Sequence, residues 1–265
     1  MIALYFKIAS FNINSVRARK EMLIQWLGEN KPDVVCLQET KVINADFPAA
    51  CLLEAGYNSL FKGRKSYNGV AILSPHQINP LNSDLGSIAE PDEARLIAAE
   101  IKGIPIVNTY IPQGQSPESD KFSYKISWIK ALKEYFDSNF KPDEPLLWLG
   151  DFNVAPEPED VHAPKRLLGR VGFHPTEHEA LDYVKSWGFK DIFRLHHQSE
   201  GGHFTFWDYR VPKALDRNLG WRIDHIWATA PLAKRSTKAW IDIEPRRKVK
   251  PSDHTFILAE FNIDS

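Results

Sequence analysis

Hydrophobic positions in this chain come mostly as short runs, each closed by glycine, proline, asparagine, aspartate or serine. The runs LYFKIASF, DVVCLQ, GVAILS, RLIAAEI, IPIVNTYI, PLLWLG, HFTFWDY, RIDHIWAT, KAWIDIE and TFILAEF are rich in β-branched and aromatic residues and predict strands. Helical periodicity is rarer. Ser116, followed by Pro117, Glu118 and Asp120, predicts a capped helix start, and Phe122, Ile126, Ile129, Leu132 and Phe136 then recur on one face. Thr176 and Glu179 predict a capping box, with Ala180, Tyr183, Val184 and Trp187 behind it and Gly188 as the stop. A third helix is predicted over Arg19 to Gly28, facing inward with Met22, Leu23, Trp26 and Leu27.

Many strands with a few long helices predict an α/β (α+β) sandwich of two sheets covered by helices. The 265 residues are 43% hydrophobic and 25% charged, an ordinary globular balance, and no linker-like stretch splits them. One domain over 1–265 is expected, with the proline-rich APEPEDVHAPKR (155–166) as a surface loop. The fragments SFNIN, GDFNV and EFNID echo one another and hint at a duplicated half-fold. A formal net charge of −1 neither announces a nucleic-acid binder nor excludes one, because clustered acids can cancel a basic face. With two cysteines, Cys36 and Cys51, there is no disulfide framework or zinc pattern, and Cys36 reads as a small buried hydrophobe. The N-terminal MIALYFKIASFNIN is interrupted by Lys7, is followed by no cleavage site and has an apolar part too short to span a bilayer. A soluble cytoplasmic protein with no membrane partner is the expectation.

The chemistry collects where strands end. LLWLGDFNV (146–154) reads as a buried strand that stops in Gly150, Asp151 and Asn153. IASFNIN ends in Asn12 and Asn14, VVCLQET in Glu39 with Lys41 beyond, and IVNTYIPQG carries Asn108 and Tyr110 into Gln113. Period-two alternation puts Asp224 on the face of Ile226 and Ala228, and KPSDHTFILAE sets Asp253 and His254 before an apolar strand. Any one of these has a dull explanation, since Asp and Asn favour turns by bonding their own backbone. Their number and kind say more. Glu39, Asp151 and Asp253 are hard oxygen donors suited to Mg²⁺ or Mn²⁺. Asn12, Asn14 and Asn153 can donate to phosphate oxygens without adding charge. Asp224 and His254 make an acid–imidazole pair. That inventory suits attack of water on a phosphodiester.

These motifs resemble the exonuclease III family of apurinic/apyrimidinic (AP) endonucleases, within the endonuclease/exonuclease/phosphatase superfamily. The matching stretches are SFNINSVRAR (10–19), CLQETK (36–41), GVAILS (69–74), NTYIPQG (108–114), GDFNVAPEPEDV (150–161), FTFWDYR (204–210), GWRIDHIWAT (220–229) and PSDH (251–254). They run in the family's order over nearly the whole chain. GDFN alone marks only the superfamily; FTFWDYR and GWRID sharpen it. The resemblance implies a DNase I-like four-layer sandwich, two packed mixed β-sheets flanked by helices.

Carried over by position, the resemblance makes Glu39 the principal Mg²⁺ ligand, assisted by Asn12 and Asn14, with Mn²⁺ able to substitute. Asp151 matches the acid that orients or deprotonates the attacking water, close to metal. Asn153 matches the amide bonded to that water or to the transition-state oxygens. His254 matches the imidazole at the scissile phosphate and near the metal, with Asp224 behind it, and Asp253 a second metal position. Tyr110 matches a phosphate ligand or proton relay, Lys41 assists charge near the metal, and Gln113 lies with the substrate-binding set. Residues matching Phe206, Trp221 and Ile223, with Trp207 beside them, imply an apolar pocket for a flipped-out abasic sugar; plain core is the default for strand aromatics. Lacking a base, an abasic nucleotide costs less to extrude than a normal one.

DNA grip is expected from Arg64–Lys65, Lys165–Arg166 with Arg170, Arg210 with Lys213 and Arg217, and RRKVK (246–250), chiefly on loops 155–166 and 210–221. The implied activity is cleavage 5′ to abasic sites in double-stranded DNA by a monomer, with 3′–5′ exonuclease and 3′-phosphatase or phosphodiesterase activity on blocked 3′ ends. Endonuclease action beside uracil or damaged bases is the nearest alternative. A phosphatase or lipid phosphodiesterase is disfavoured by FTFWDYR and GWRID. A non-catalytic DNA-binding scaffold predicts gaps in the polar set, and Glu39, Asp151, Asn153, Asp224 and His254 are all present.

Overall fold

All but one of the predicted runs become strands. The computed structural model describes residues 5–88 and 93–263; Leu4 of the first run and Asp264 of the EFNID echo lie outside them. In chain order the strands are β1 (Tyr5–Asn12), β2 (Val34–Gln38), β3 (Asn58–Lys62), β4 (Val70–Ser74), β5 (Asn79–Pro80), β6 (Leu96–Ile101), β7 (Ile104–Tyr110), β8 (Leu147–Asp151), β9 (Phe189–Asp191), β10 (Asp224–Thr229), β11 (Ser236–Asp242) and β12 (Phe256–Asn262). The helices are α1 (Val16–Asn30), α2 (Ala49–Glu54), α3 (Asp120–Asn139), α4 (Pro164–Leu167), α5 (Pro175–Lys185), α6 (Ile192–His196) and α7 (Ala230–Ala233).

The strands form two six-stranded sheets, ordered β11-β12-β1-β2-β4-β3 and β5-β6-β7-β8-β10-β9. Each sheet has one parallel pair at its centre, β1 with β2 and β7 with β8, and antiparallel neighbours elsewhere. The second sheet thus repeats the pairing pattern of the first. The sequence echoes do not mark that repeat, however. The Phe11–Asn12 echo ends β1, whose counterpart β7 ends in Tyr110, while Phe152–Asn153 follows β8, the counterpart of β2.

Period-two alternation explains the layering. Phe6 and Ile8 of β1, Val34 and Cys36 of β2, Leu147 and Leu149 of β8, and Ile226 and Ala228 of β10 meet in one core between the sheets. The alternate residues Ala9 and Phe11 pack outward on Leu23, Trp26 and Leu27 of α1. Trp148, Trp227 and Val107 pack outward on Phe122, Ile129 and Phe136 of α3 and Ala180 and Val184 of α5. The result is helix, sheet, sheet, helix, as the composition of elements predicts.

Helix ends differ from the sequence reading for local reasons. The cap of α3 is Ser119, not Ser116; its hydroxyl accepts from Phe122 N at 3.2 Å, directly ahead of the apolar face. Ser116 precedes Pro117 and belongs to the turn before the helix. The box of α5 is His174 with Glu177, not Thr176 with Glu179, because Pro175 fits the first helical position and starts the helix earlier. That helix closes at Lys185 with Ser186 as its C-cap, ahead of Gly188. The first helix runs past both predicted ends, with its irregular point at Arg19 (φ −124°, ψ 15°). HFTFWDY is the run that forms no strand. Thr205 and Phe206 donate to Trp221 O at 2.9 Å while Trp207 donates to Asp253 O at 2.9 Å, so the segment is divided between two neighbours.

Gly150 has φ +140°, and a Cβ there would strike the Thr109 carbonyl on β7. Gly150→Ala is expected to lower stability by roughly 2–6 kcal/mol, the sum of backbone strain and overpacking. Gly28 in α1 has open space at its Cβ, so Gly28→Ala is expected to raise stability by about 0.5–1 kcal/mol. Urea midpoints of the two variants check both signs.

Candidate active site

The sheet register aligns the tips of three strands. Tyr110 pairs with Asp151 and Asp151 with Asp224, so β7, β8 and β10 deliver a phenol and two carboxylates in one row. In the facing sheet Asn12 pairs with Gln38, and Glu39 follows. By parity Asn12, Tyr110, Asp151 and Asp224 continue the core face between the sheets, which is why acids stand at the ends of such apolar strands. The PSDH turn is tied to the same place, Ser252 Oγ donating to Asn12 O at 2.8 Å.

The side chains form two hydrogen-bonded groups that meet at one ion-pair contact, Asp151 with His254. Asn14 Nδ2 donates to Asp253 Oδ1 at 2.9 Å, and Lys41 Nζ reaches Asn14 Oδ1 at 2.6 Å and Glu39 Oε2 at 2.7 Å. Asn12 Nδ2 bridges Glu39 Oε1 and Asp151 Oδ2, both at 2.8 Å. Asp151 Oδ2 is 3.8 Å from His254 Nε2, and His254 Nδ1 bonds Asp224 Oδ2 at 2.8 Å. Asn153 Nδ2 donates to Ile111 O at 2.9 Å, its backbone N–H to Asp151 Oδ1 at the same distance. Asn14, Glu39, Lys41 and Asn153 all have φ between 45° and 55°, a costly backbone for non-glycine residues that clusters at functional sites.

Charge follows burial and neighbours. Burial alone would lower the His254 imidazole, but Asp224, then Asp151, outweigh it and push it up to about 10. Burial pushes Asp151 up to about 7, with His254 opposing and Asp224 adding to the rise. Burial would raise Glu39 as well, but Lys41 and the Asn12 amide prevail and lower it. The Tyr110 phenol is raised well above its usual value by burial, then by Glu39 and Asp151. Asp224 Oδ1 is buried with no partner among the described residues. Carboxylates with amide oxygens and one imidazole make a hard donor set that fits a divalent cation.

A cleft of ≈ 860 Å³ runs from this polar edge to an apolar wall. Glu39, Tyr110, Gln113, Asn153, Asp253 and His254 line one side, Phe206, Trp221 and Ile223 another. The Phe206 ring lies 4.9 Å from that of His254. Trp207 is not in the cleft. It is 1% exposed, packs with Phe204 and Ala214, and donates to Asn218 Oδ1 at 3.3 Å, because alternation turns it away from Phe206. Arg166 from loop 155–166 and Arg210 and Arg217 from loop 210–221 line the cleft. Arg246 of RRKVK is instead buried, donating to Trp207 O at 3.2 Å.

Three cations support the site: Arg19 at the end of SFNINSVRAR, Arg222 inside GWRIDHIWAT, and Lys125 on α3. Lys125 lies on the apolar face of α3 between Phe122 and Ile129, and is fully buried. It bonds Glu177 of α5 at 2.5 Å and donates to the carbonyls of Asn153 (2.7 Å) and Gln113 (3.3 Å). Arg222 is also fully buried and donates to Asp160 (2.7 and 2.9 Å) and Asp191 (2.8 Å), holding its neighbours Trp221 and Ile223 under the wall. Arg19 donates to the carbonyls of Asn14 and Pro251, clamping the two loops that carry Asn14 and Asp253.

Two packed mixed sheets with an acid-and-imidazole edge define a phosphoester hydrolase. The chain belongs to the Endonuclease/Exonuclease/phosphatase family, which it matches over residues 9–254, and to its exodeoxyribonuclease III branch. Exodeoxyribonuclease III of Haemophilus influenzae is 33% identical over 266 residues, covering 96% of this chain and 99% of that protein. Among solved structures, an AP endonuclease from Archaeoglobus fulgidus is 46% identical with a TM-score of 0.94, covering 97% of this chain and 100% of its own. The Neisseria 3′ phosphatase NExo, bound to a product DNA hairpin, is 33% identical with a TM-score of 0.91, covering 97% of this chain and 99% of its own. Among the described residues no helix is long and apolar enough to cross a membrane.

The raised His254 gives a direct check. Its contribution to stability is complete below about pH 6.5, where the unfolded imidazole is also protonated, and is lost as pH rises towards 10. In metal-free protein, ¹⁵N imidazole shifts are expected to report His254 as an imidazolium at pH 8. Asp224→Asn removes the main raising charge and leaves burial, so the same titration is expected to fall by more than one pH unit.

Proposed function

We propose that this chain, a DNA-repair nuclease of the exodeoxyribonuclease III family, is a Mg²⁺-dependent AP endonuclease. It cuts 5′ to an abasic site in double-stranded DNA and leaves 3′-hydroxyl and 5′-deoxyribose phosphate ends. One observation carries the reading: the acidic edge and the apolar wall share one cleft, so Phe206, Trp221 and Ile223 stand beside Asn153 and His254. A base-free sugar fits against such a wall while its 5′ phosphate meets the polar edge. The Archaeoglobus fulgidus AP endonuclease supports the same reading, and the Neisseria protein NExo, described both as a 3′ phosphatase and as a 3′–5′ exonuclease, supports adding those two activities on blocked 3′ ends. In this reading the protein acts as an intracellular monomer.

Glu39, kept ionised by Lys41, would hold the cation, with Asp151, Asp253 and the Asn12 and Asn14 amides as neighbouring donors; Mn²⁺ would substitute. When bound, the cation offsets phosphate charge and stabilises the leaving oxygen. Asp151, raised to about 7, accepts the proton of the attacking water near neutral pH. His254, held protonated by Asp224, donates to a phosphate oxygen as negative charge builds there. Asn153 presents a neutral donor to the same group, and Tyr110, held neutral, keeps its O–H for the phosphate. As the P–O3′ bond breaks, the leaving 3′-oxygen takes up a proton to become the hydroxyl end. Arg166, Arg210 and Arg217 meet flanking phosphates, and their contribution fades with salt.

Nicking of an abasic duplex is expected with Mg²⁺ and not with EDTA, with little cleavage of a uracil duplex; equal cleavage of both would sink the AP assignment. Asp151→Asn is expected to lower kcat by about 10²–10⁴-fold, the range for losing a general base. Trp221→Ala is expected to narrow the preference for abasic over intact duplex while leaving Mg²⁺ dependence in place. Single-turnover rates on the two duplexes read that change.

A further inference from the structure

Where α6 meets β11, outside the cleft, three metal-ligating side chains converge. His197, Glu200 and His203 have ligand atoms that all lie within 4.8 Å of one another. His197 Nδ1 is 3.0 Å from Glu200 Oε2, and His203 Nε2 is 3.2 Å from the same oxygen. A tetrahedral zinc ion with bonds of about 2.0–2.1 Å spaces its ligand atoms roughly 3.3 Å apart. The observed spacings are close to that edge length.

The surroundings fix the ligands in place. His197 Nε2 donates to Ala239 O on β11 at 2.8 Å, which orients the ring so that Nδ1 faces Glu200 Oε2. A metal ion taking the place of the proton between Nδ1 and the carboxylate would bridge the same two atoms. Arg194 donates to the carbonyls of His197 (3.1 Å) and Glu200 (2.8 Å), holding the turn that joins them. The Phe193 ring stacks on His197 at 4.4 Å, and the His197 and His203 rings lie 5.3 Å apart. Side-chain exposures of 26%, 54% and 42% leave the group open to ions from solvent.

We infer that His197, Glu200 and His203 form a second metal site, selective for a borderline transition ion such as Zn²⁺, with three protein ligands and a fourth position open to water. Two imidazoles exclude Mg²⁺ by ligand type. His203 directly precedes Phe204, so the ion pins the root of the segment that carries Phe206 to the cleft.

The test is titration of EDTA-stripped protein with Co²⁺ in excess Mg²⁺, which fills the oxygen-rich cleft, followed by displacement with Zn²⁺. One Co²⁺ per chain with the intense visible bands of a four-coordinate ion is expected, retained in Asp151→Asn. His203→Gln and Glu200→Gln are each expected to weaken it by about 100-fold, at or above the upper end of outer-shell losses. Both side chains are exposed enough for the fold and Mg²⁺-dependent nicking to survive, which far-UV circular dichroism and the nicking assay check. No Co²⁺ uptake in excess Mg²⁺, or uptake lost in Asp151→Asn and untouched by His203→Gln, overturns the site.

Discussion

A single carboxamide joins the two halves of the molecule at the point where chemistry is done. Asn12 belongs to the first sheet, Glu39 follows its neighbouring strand, and Asp151 ends a strand of the second; both hydrogens of one amide nitrogen are used to connect them. This geometry exists only if the sheets pack at one spacing and one register. A second buried amide repeats the constraint deeper in: Asn108 of β7 accepts from Gln38 of β2 and donates to the carbonyls of Leu37 and Ala71. A buried amide left without partners costs about 1–3 kcal/mol, so sliding the sheets is penalised at both places. Packing between the sheets therefore sets the site, and the site in turn selects one packing.

That rigidity carries charges which would otherwise separate. Glu39, Asp151, Asp224 and Asp253 crowd a small volume with one imidazole and one lysine among them. Burial raises the carboxyl of Asp151, with Asp224 and Glu39 adding to the rise, and Asn14, Glu39, Lys41 and Asn153 hold left-handed backbones around it. Apolar burial on both faces of each sheet offsets the cost. The buried Lys125–Glu177 pair and the Arg222–Asp160–Asp191 cluster serve the same end at the back of the cleft. Breaking either leaves an uncompensated buried charge, the costly way to lose an ion pair.

The layered fold was legible because alternation writes itself into strands buried on two faces: Leu147 and Leu149 look one way, Leu146 and Trp148 the other. The same parity brings Asp151, Asp224 and Tyr110 together, so those positions could be read as strand-end chemistry before any contact was known. Trp207 could not be separated from Phe206 that way, since the segment has two backbone partners and no sheet of its own. Helix starts were misplaced by one turn or less where Ser116 competes with Ser119 and Thr176 with His174, a choice made by proline geometry and hydroxyl reach. Lys125, on the apolar face of α3, and Arg222, inside GWRIDHIWAT, were legible as positions but not as supports, because their partners Glu177, Asp160 and Asp191 lie far along the chain.

The first sheet joins segments far apart in sequence, with Tyr5–Ser10 of β1 running beside Ile257–Asn262 of β12. The first strand therefore cannot acquire that partner, nor Asp253 and His254 reach the polar edge, until residues 253–262 have emerged from the ribosome. Contacts of such long sequence separation form late. A nascent chain that has not yet exposed residues 253–262 holds an incomplete set of groups, and hydrolytic competence waits on them.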